Sequence, residues 1–181
     1  MILASQSPQR HAILNQLGLA HTVMSADVDE LGDGDPQVVV VANAVAKARV
    51  VAESSKGELV IGADTAVVCD GRILGKPTDQ GEAVAFLRML AGRGHLVYGG
   101  LAVIDKFRER TAHAVTTVVF RELSDSDIDA YIASGEWRER AGGYAIQGLG
   151  AALIERIEGD YLNVVGLPVA QLVQIAPELF A

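Results

Sequence analysis

Asp64 and Thr65 follow the apolar run Leu59-Val60-Ile61 in the stretch LVIGADTAVVCDGRILGKP, residues 59–77. The run reads as a strand buried on both faces, which stops at Gly62 and delivers one carboxylate and one hydroxyl. A second apolar run, over 66–69, meets Asp70-Gly71, the strongest short hairpin signal. The return arm over 72–74 ends in Gly75-Lys76-Pro77, so the hairpin can bring Lys76 near Asp64. A carboxylate at the end of a buried strand with an ammonium close by suits a metal and a phosphate. The competing reading is a structural ion pair beside a hairpin.

Three further stretches carry side chains of the same kind. Near the start, Ser5-Gln6-Ser7-Pro8 separates a short strand from a helical pattern with Ile13, Leu14 and Leu17 on one face. Ser7 is placed as N-cap, Pro8 as first helical residue and Gly18 as C′. Free backbone N–H groups at such a turn favour an anion. Ser5 and Ser7 add hydroxyls there and Arg10 a guanidinium, although an ordinary capped helix with a surface Arg has the same pattern. Next, Glu30 ends the acidic run Asp27-Val28-Asp29-Glu30 close after a predicted strand, whereas Asp33 and Asp35 read as solvated loop. Lys47, on a helix opened by Pro36, shares its face with Ala44 and Val51. If buried it needs an anion, unless it snorkels to water. Finally, AGGYAIQGLG over 141–150 crowds four glycines around Gln147, whose amide offers a base edge both donor and acceptor.

Several chemistries are excluded. No Walker A spacing, GxGxxG, HExxH or GxSxG occurs. The four histidines, His11, His21, His95 and His113, are isolated in sequence and read as surface or packing residues. What remains is an anion cradle, the cations Arg10, Lys76 and Lys47, and the carboxylates Glu30 and Asp64. Hard oxygen ligands together with phosphate oxygens suit Mg²⁺ or Mn²⁺. Two carboxylates are few for an all-protein cage, but substrate phosphates and waters complete an octahedron.

Positioning these groups falls to a chain of 181 residues, half of them hydrophobic, which suits one domain over 1–181. A net charge of -8 disfavours non-specific nucleic-acid binding, yet a few local cations suffice for a small anion. The one cysteine, Cys69, rules out an internal disulfide and a CxxC site. The opening apolar run is too short for a signal peptide and no stretch is long enough to span a bilayer, so a soluble, cytoplasmic protein is expected. Strands are predicted over 1–4, 20–25, 95–107, 110–123 and 151–157. Helices are predicted over 36–55, 79–91 and from Ser124 to a stop at Gly135, and a last helix reaches about Ala176. The valines at 38–41 are poor local helix chemistry. Parallel-type and antiparallel strands mixed with helices give an α/β class with a mixed sheet.

LASQSPQR, DVDE, ANAVAKA, GADT, GKP, ASGEW, AGGYAIQG and NVVGLP occur in that order along almost the whole chain. In these motifs the sequence resembles the Maf family of nucleotide pyrophosphatases. The resemblance implies a mixed α/β fold shared with the inosine triphosphate pyrophosphatases. It implies hydrolysis of a nucleoside triphosphate to monophosphate and pyrophosphate, a divalent metal, a cytoplasmic location and often a homodimer. It makes Asp64 the water-activating base, with Glu30 and Lys47 its partners in the metal and phosphate site. Ser5, Arg10 and Lys76 become triphosphate contacts, and Thr65 and Gln147 positions that help choose the base. The pyrimidine branch usually has Arg after the Ser-Pro pair, and a branch acting on 7-methyl-GTP has Trp. Gln9 at this substrate-binding position is neither, while Thr65 and Gln147 fit the pyrimidine branch and favour UTP and dTTP.

Two other readings use the same residues. One is a non-catalytic nucleotide-binding regulator of cell division or nucleotide pools, which would need no water-activating base. The other is a phosphatase that removes the terminal phosphate, which would release orthophosphate instead of pyrophosphate.

Overall fold

Asp70 and Gly71 both take positive φ, +50° and +75°, and join Cys69 to Arg72 in a two-residue turn. This hairpin joins two strands of the computed structural model, which describes residues 1–181. The strands are β1 (Ile2–Leu3), β2 (Thr22–Val23), β3 (Val60–Cys69), β4 (Arg72–Leu74), β5 (Gly94–Ile104), β6 (Glu109–Phe120) and β7 (Ile154–Glu158). The helices are α1 (Pro8–Gln16), α2 (Pro36–Ser54), α3 (Gln80–Leu90), α4 (Asp125–Ser134), α5 (Tyr161–Val165) and α6 (Val169–Ile175). One seven-stranded sheet runs β2-β1-β3-β5-β6-β7, with β4 added beside β3. β1 is parallel to both β2 and β3, and the other pairings are antiparallel. The expected α/β class with a mixed sheet is observed.

Strand β3 departs from expectation in a way that matters for the site. It does not stop at Gly62 but continues through Asp64 and Thr65 to Cys69, because β5 pairs with it from Val60 to Val68. Its other edge is shared. β1 pairs there only with Val60 and Ile61, and β4 only from Val67 onward. The sheet therefore forks, and residues 62–66 have no strand partner on that side. Side chains alternate along a strand, so Asp64 faces α2 while Thr65 faces α1 and α5.

Two adjacent glycines of β5 let helices approach both faces at this level. Gly100 pairs with Asp64, and a Cβ there would lie 2.1 Å from the Val40 carbonyl oxygen of α2. Gly99 pairs with Thr65, and a Cβ there would lie 1.9 Å from Asn163 Oδ1 of α5. Helix α2 begins at Pro36 as expected, and Asp35, expected to be solvated loop, is its N-cap and accepts from Gln37 and Val38 N–H. The β-branched run is helical because Val39 and Val40 are buried, so packing overrides propensity. Leu14, Leu101 and Leu172 belong to the core on the opposite face, and α3 and α4 pack around Phe86, Leu90 and Trp137 at one end. The predicted last helix is α6, which follows Pro168, while the short α5 before it was not predicted, and the predicted strand over 151–157 begins only at Ile154 after a 3₁₀ segment (Gly148–Leu153). No helix is long and apolar enough to cross a membrane.

Gly100→Ala should lower stability by about 2 kcal/mol or more, because its methyl collides with backbone rather than a movable side chain. Gly75→Ala, with nothing within 4 Å of its Cβ, should change stability by less than about 0.5 kcal/mol. Urea denaturation of the two variants checks the contrast.

Candidate active site

The fork in the sheet opens into a cleft of about 790 Å³. Each of the nine residues singled out from the sequence borders it: Ser5 from the β1–α1 connection, Gln9 and Arg10 from the first turn of α1, Glu30 and Lys47, Asp64 and Thr65 from β3, then Lys76 and Gln147.

On the α2 side, Asp64 Oδ1 accepts from Lys47 Nζ at 2.7 Å, and Asp64 Oδ2 accepts from Asn43 Nδ2 at 2.9 Å. The Lys47 and Asp64 side chains are only 9% and 11% exposed. Lys47 also pairs with Glu30 Oε1 at 2.7 Å. Lys47 is thus buried and has the anions it needs, and it does not snorkel to solvent. Asn43, to which the sequence reading gave no role, ties Asp64 to the loop carrying Glu30, since its amide exchanges two hydrogen bonds with the Leu31 backbone. Its signal was the i, i+4 spacing to Lys47, which puts both on one helix face.

Lys76 lines the same cleft as Asp64, but the ion pair between them, the competing reading of the sequence, is not formed. The β4 return arm carries Lys76 to the cleft, but Lys76 Nζ donates to Glu139 Oε2 at 3.1 Å and both side chains are exposed. The ammonium beside Asp64 belongs to Lys47.

On the other face, Arg10 is buried and its guanidinium reaches three acceptors. Nε donates to the Gly166 carbonyl at 2.8 Å, Nη1 to Ser5 Oγ at 2.9 Å and Nη2 to Thr65 Oγ at 3.1 Å. Burial lowers its pKa from the ordinary value, while Asp64 and then Glu30 oppose that shift. Arginine nonetheless stays charged. Ser7 has the extended backbone of an N-cap but makes no cap bond. Its hydroxyl donates to Gln9 Oε1 at 3.1 Å and its N–H to Ser5 Oγ at 3.2 Å. Thr65 stands with Arg10 and Ser5, and Gln147 is exposed on the segment across the cleft.

That segment is held from behind. Glu136 accepts from the Leu149 and Gly150 N–H groups at 3.0 and 3.1 Å, and Tyr131 Oη accepts from Ala145 N–H at 3.0 Å. Tyr144, which borders the cleft, meets buried His95 at 2.7 Å through Nε2. Burial pushes the Tyr144 phenol up and the Tyr131 phenol up to about 12. The histidines are less isolated than their sequence positions suggest. His11 and His21 also meet, at 2.8 Å on the surface.

No three or more His, Cys, Asp or Glu side chains converge. The two carboxylates that do, Asp64 and Glu30, each place an oxygen 2.7 Å from one nitrogen. That donor set fits partial coordination of a hard divalent ion, with phosphate oxygens and waters supplying the rest.

Fold and cleft together define an α/β protein with a polar cleft of mixed charge at the open edge of its central strand. The chain belongs to the Maf-like family, whose model matches residues 1–179. Among its relatives is a protein of Moorella thermoacetica, 48% identical over 179 residues, covering 97% of this chain and 92% of the relative. One of Pelotomaculum thermopropionicum is 48% identical over 176 residues, covering 95% and 92%. One of Bacillus cereus is 43% identical over 176 residues, covering 96% and 92%. All three carry the name dTTP/UTP pyrophosphatase.

Burial lowers the pKa of His95 from 6.5 to about 4. Above pH 6.5 the ring is neutral in both folded and unfolded chains. As pH falls from 6.5 to 4 only the unfolded chain takes the proton, so stability is lost across that window, in total about 3 kcal/mol. Urea denaturation at pH 7, 5.5 and 4 should show wild type losing about that much more than His95→Gln. Parallel losses would contradict it.

Proposed function

We propose that this chain hydrolyses nucleoside triphosphates to the monophosphate and pyrophosphate, with dTTP and UTP as preferred substrates. The observation that carries the reading is the Asp64 carboxylate, fixed by Lys47 and Asn43, beside a cleft that also presents the Arg10 guanidinium. The names of relatives aligned along nearly the whole chain support the same bond and the same bases.

Asp64 takes the proton from the water that attacks the α-phosphorus, and pyrophosphate leaves with the electron pair of the broken P–O bond. Lys47 orients Asp64 through their shared hydrogen bond. Arg10 and Ser5 bind the triphosphate oxygens, and Lys76, exposed at the rim, adds a cation as the substrate enters. Asp64 and Glu30 would hold Mg²⁺ or Mn²⁺, which supplies charge neutralisation for the triphosphate. Gln147 reads the imide face of uracil or thymine, its carbonyl accepting from N3–H and its amide donating to O4. Gln9 and Thr65 shape the pocket between base and phosphates. By family resemblance the enzyme works in the cytoplasm and as a homodimer. It acts on free nucleotide and not on nucleic acid, in keeping with its net charge of -8.

The test is product analysis with UTP, dTTP and a panel of purine and modified nucleotides. Pyrophosphate and the nucleoside monophosphate are expected, and orthophosphate with the diphosphate would sink the reading. In the same assay Gln147→Glu, which removes the amide donors and adds charge, should lower activity on UTP and dTTP about tenfold more than on purine nucleotides. Equal losses on all bases would mean that Gln147 only shapes the loop.

A further inference from the structure

The motif Asn163-Val164-Val165-Gly166-Leu167-Pro168 contributes no side chain to the mechanism above, yet it carries a costly group. Asn163, on α5, is 0% exposed. Its Nδ2 donates to the Val97 carbonyl of β5 at 3.0 Å and to Thr116 Oγ of β6 at 3.1 Å. Its Oδ1 has no hydrogen-bond partner. Thr116 is also 0% exposed, donates to the Asp160 carbonyl at 3.0 Å and accepts from Asp160 N–H at 3.2 Å. Asp160 in turn caps α5 by accepting from Leu162 N–H at 2.8 Å. Two glycines leave room for this staple. A Cβ at Gly99 would lie 1.9 Å from Asn163 Oδ1, and one at Gly159 would lie 3.1 Å from Thr116 Oγ.

A helix of five residues does not hold its own position in water. An apolar residue at 163 would anchor it without leaving a buried polar atom unsatisfied. What the amide adds is directional fixation to two strands at once. The consequence lies at the other end of the helix. Gly166 closes α5 at φ +133°, its N–H donates to the Leu162 carbonyl, and its own carbonyl accepts from Arg10 Nε at 2.8 Å. A guanidinium is planar and rigid, so fixing Nε fixes the directions of every N–H on Nη1 and Nη2.

We propose that Asn163 and Thr116 are positioning residues that set the Gly166 carbonyl and thereby aim Arg10 at the triphosphate. The inference rests on the function proposed above.

The experiment measures KM and kcat for UTP hydrolysis, with a thermal melt on every variant. Thr116→Val, which keeps the shape and loses the hydroxyl, should raise KM about tenfold and change kcat less than about threefold. Thr116→Ser should restore the wild-type KM. In an Arg10→Ala background the Thr116→Val change should raise KM no further, because the group it aims is gone. An equal rise in both backgrounds would overturn the proposal, since a merely structural role adds independently. A folded Thr116→Val variant with unchanged KM would also overturn it. Should Thr116→Val fail to fold, Asn163→Ser carries the same cycle. Failure of the underlying function looks different, because the wild type itself would then release no pyrophosphate from UTP.

Discussion

An ammonium and a carboxylate held 2.7 Å apart, each about nine-tenths out of water, are the interaction on which the rest of this molecule depends. Neither charge would be tolerated there alone. Removing one partner from such a pair typically destabilises a protein by about 3–5 kcal/mol. The pair joins the middle of α2 to the middle of β3, and Asn43 one turn earlier on α2 completes the grip on Asp64. Glu30 shares the same ammonium from a loop that Asn43 fastens through Leu31. Helix, strand and loop are thus locked around one carboxylate that still borders open space.

That open space comes from the fork. β1 leaves β3 after Ile61 and β4 joins it only at Val67, so the strand that carries Asp64 and Thr65 is unpaired along one edge between them. Consecutive residues of a strand point to opposite faces, and here both faces reach the cleft because no neighbouring strand walls them off. Asp64 belongs to α2 and its ammonium, while Thr65 belongs to Arg10, Ser5 and α5. Gly99 and Gly100 on β5 are the counterpart, each giving up a side chain so that a helix can approach its face.

The parts of this arrangement that were legible in the sequence are those written in a few consecutive residues. The Asp70-Gly71 turn, the Gly18 and Gly135 helix stops and the Ser124 cap all act locally, and each is where its residue type predicts. The nine cleft residues were also legible, through cation and hydroxyl types near element ends and through family motifs. Lys47 as the partner of Asp64 was legible only through the family motifs, and not from local sequence. A hairpin suggests that its two arms share a neighbourhood, but the decisive contact comes from α2, 17 residues earlier in the chain, and depends on which face of the sheet the helix covers. The continuity of β3 was hidden for the same reason, since Gly62 breaks the apolar run locally while β5 pairs straight past it. Asn163 lay in a quoted motif without a role, because its partners Val97 and Thr116 lie on two other strands.

The claim that Asp64 is the group that activates water is tested most directly by Asp64→Asn in a single-turnover assay with UTP at saturating Mg²⁺ or Mn²⁺, beside a thermal melt. The amide keeps the shape and can still meet Asn43, and Lys47 keeps Glu30, so the variant should fold. Cleavage should slow by about 10²–10⁴-fold, the usual loss on removing a general base. A folded variant that still cleaves within about tenfold of wild type would contradict the account.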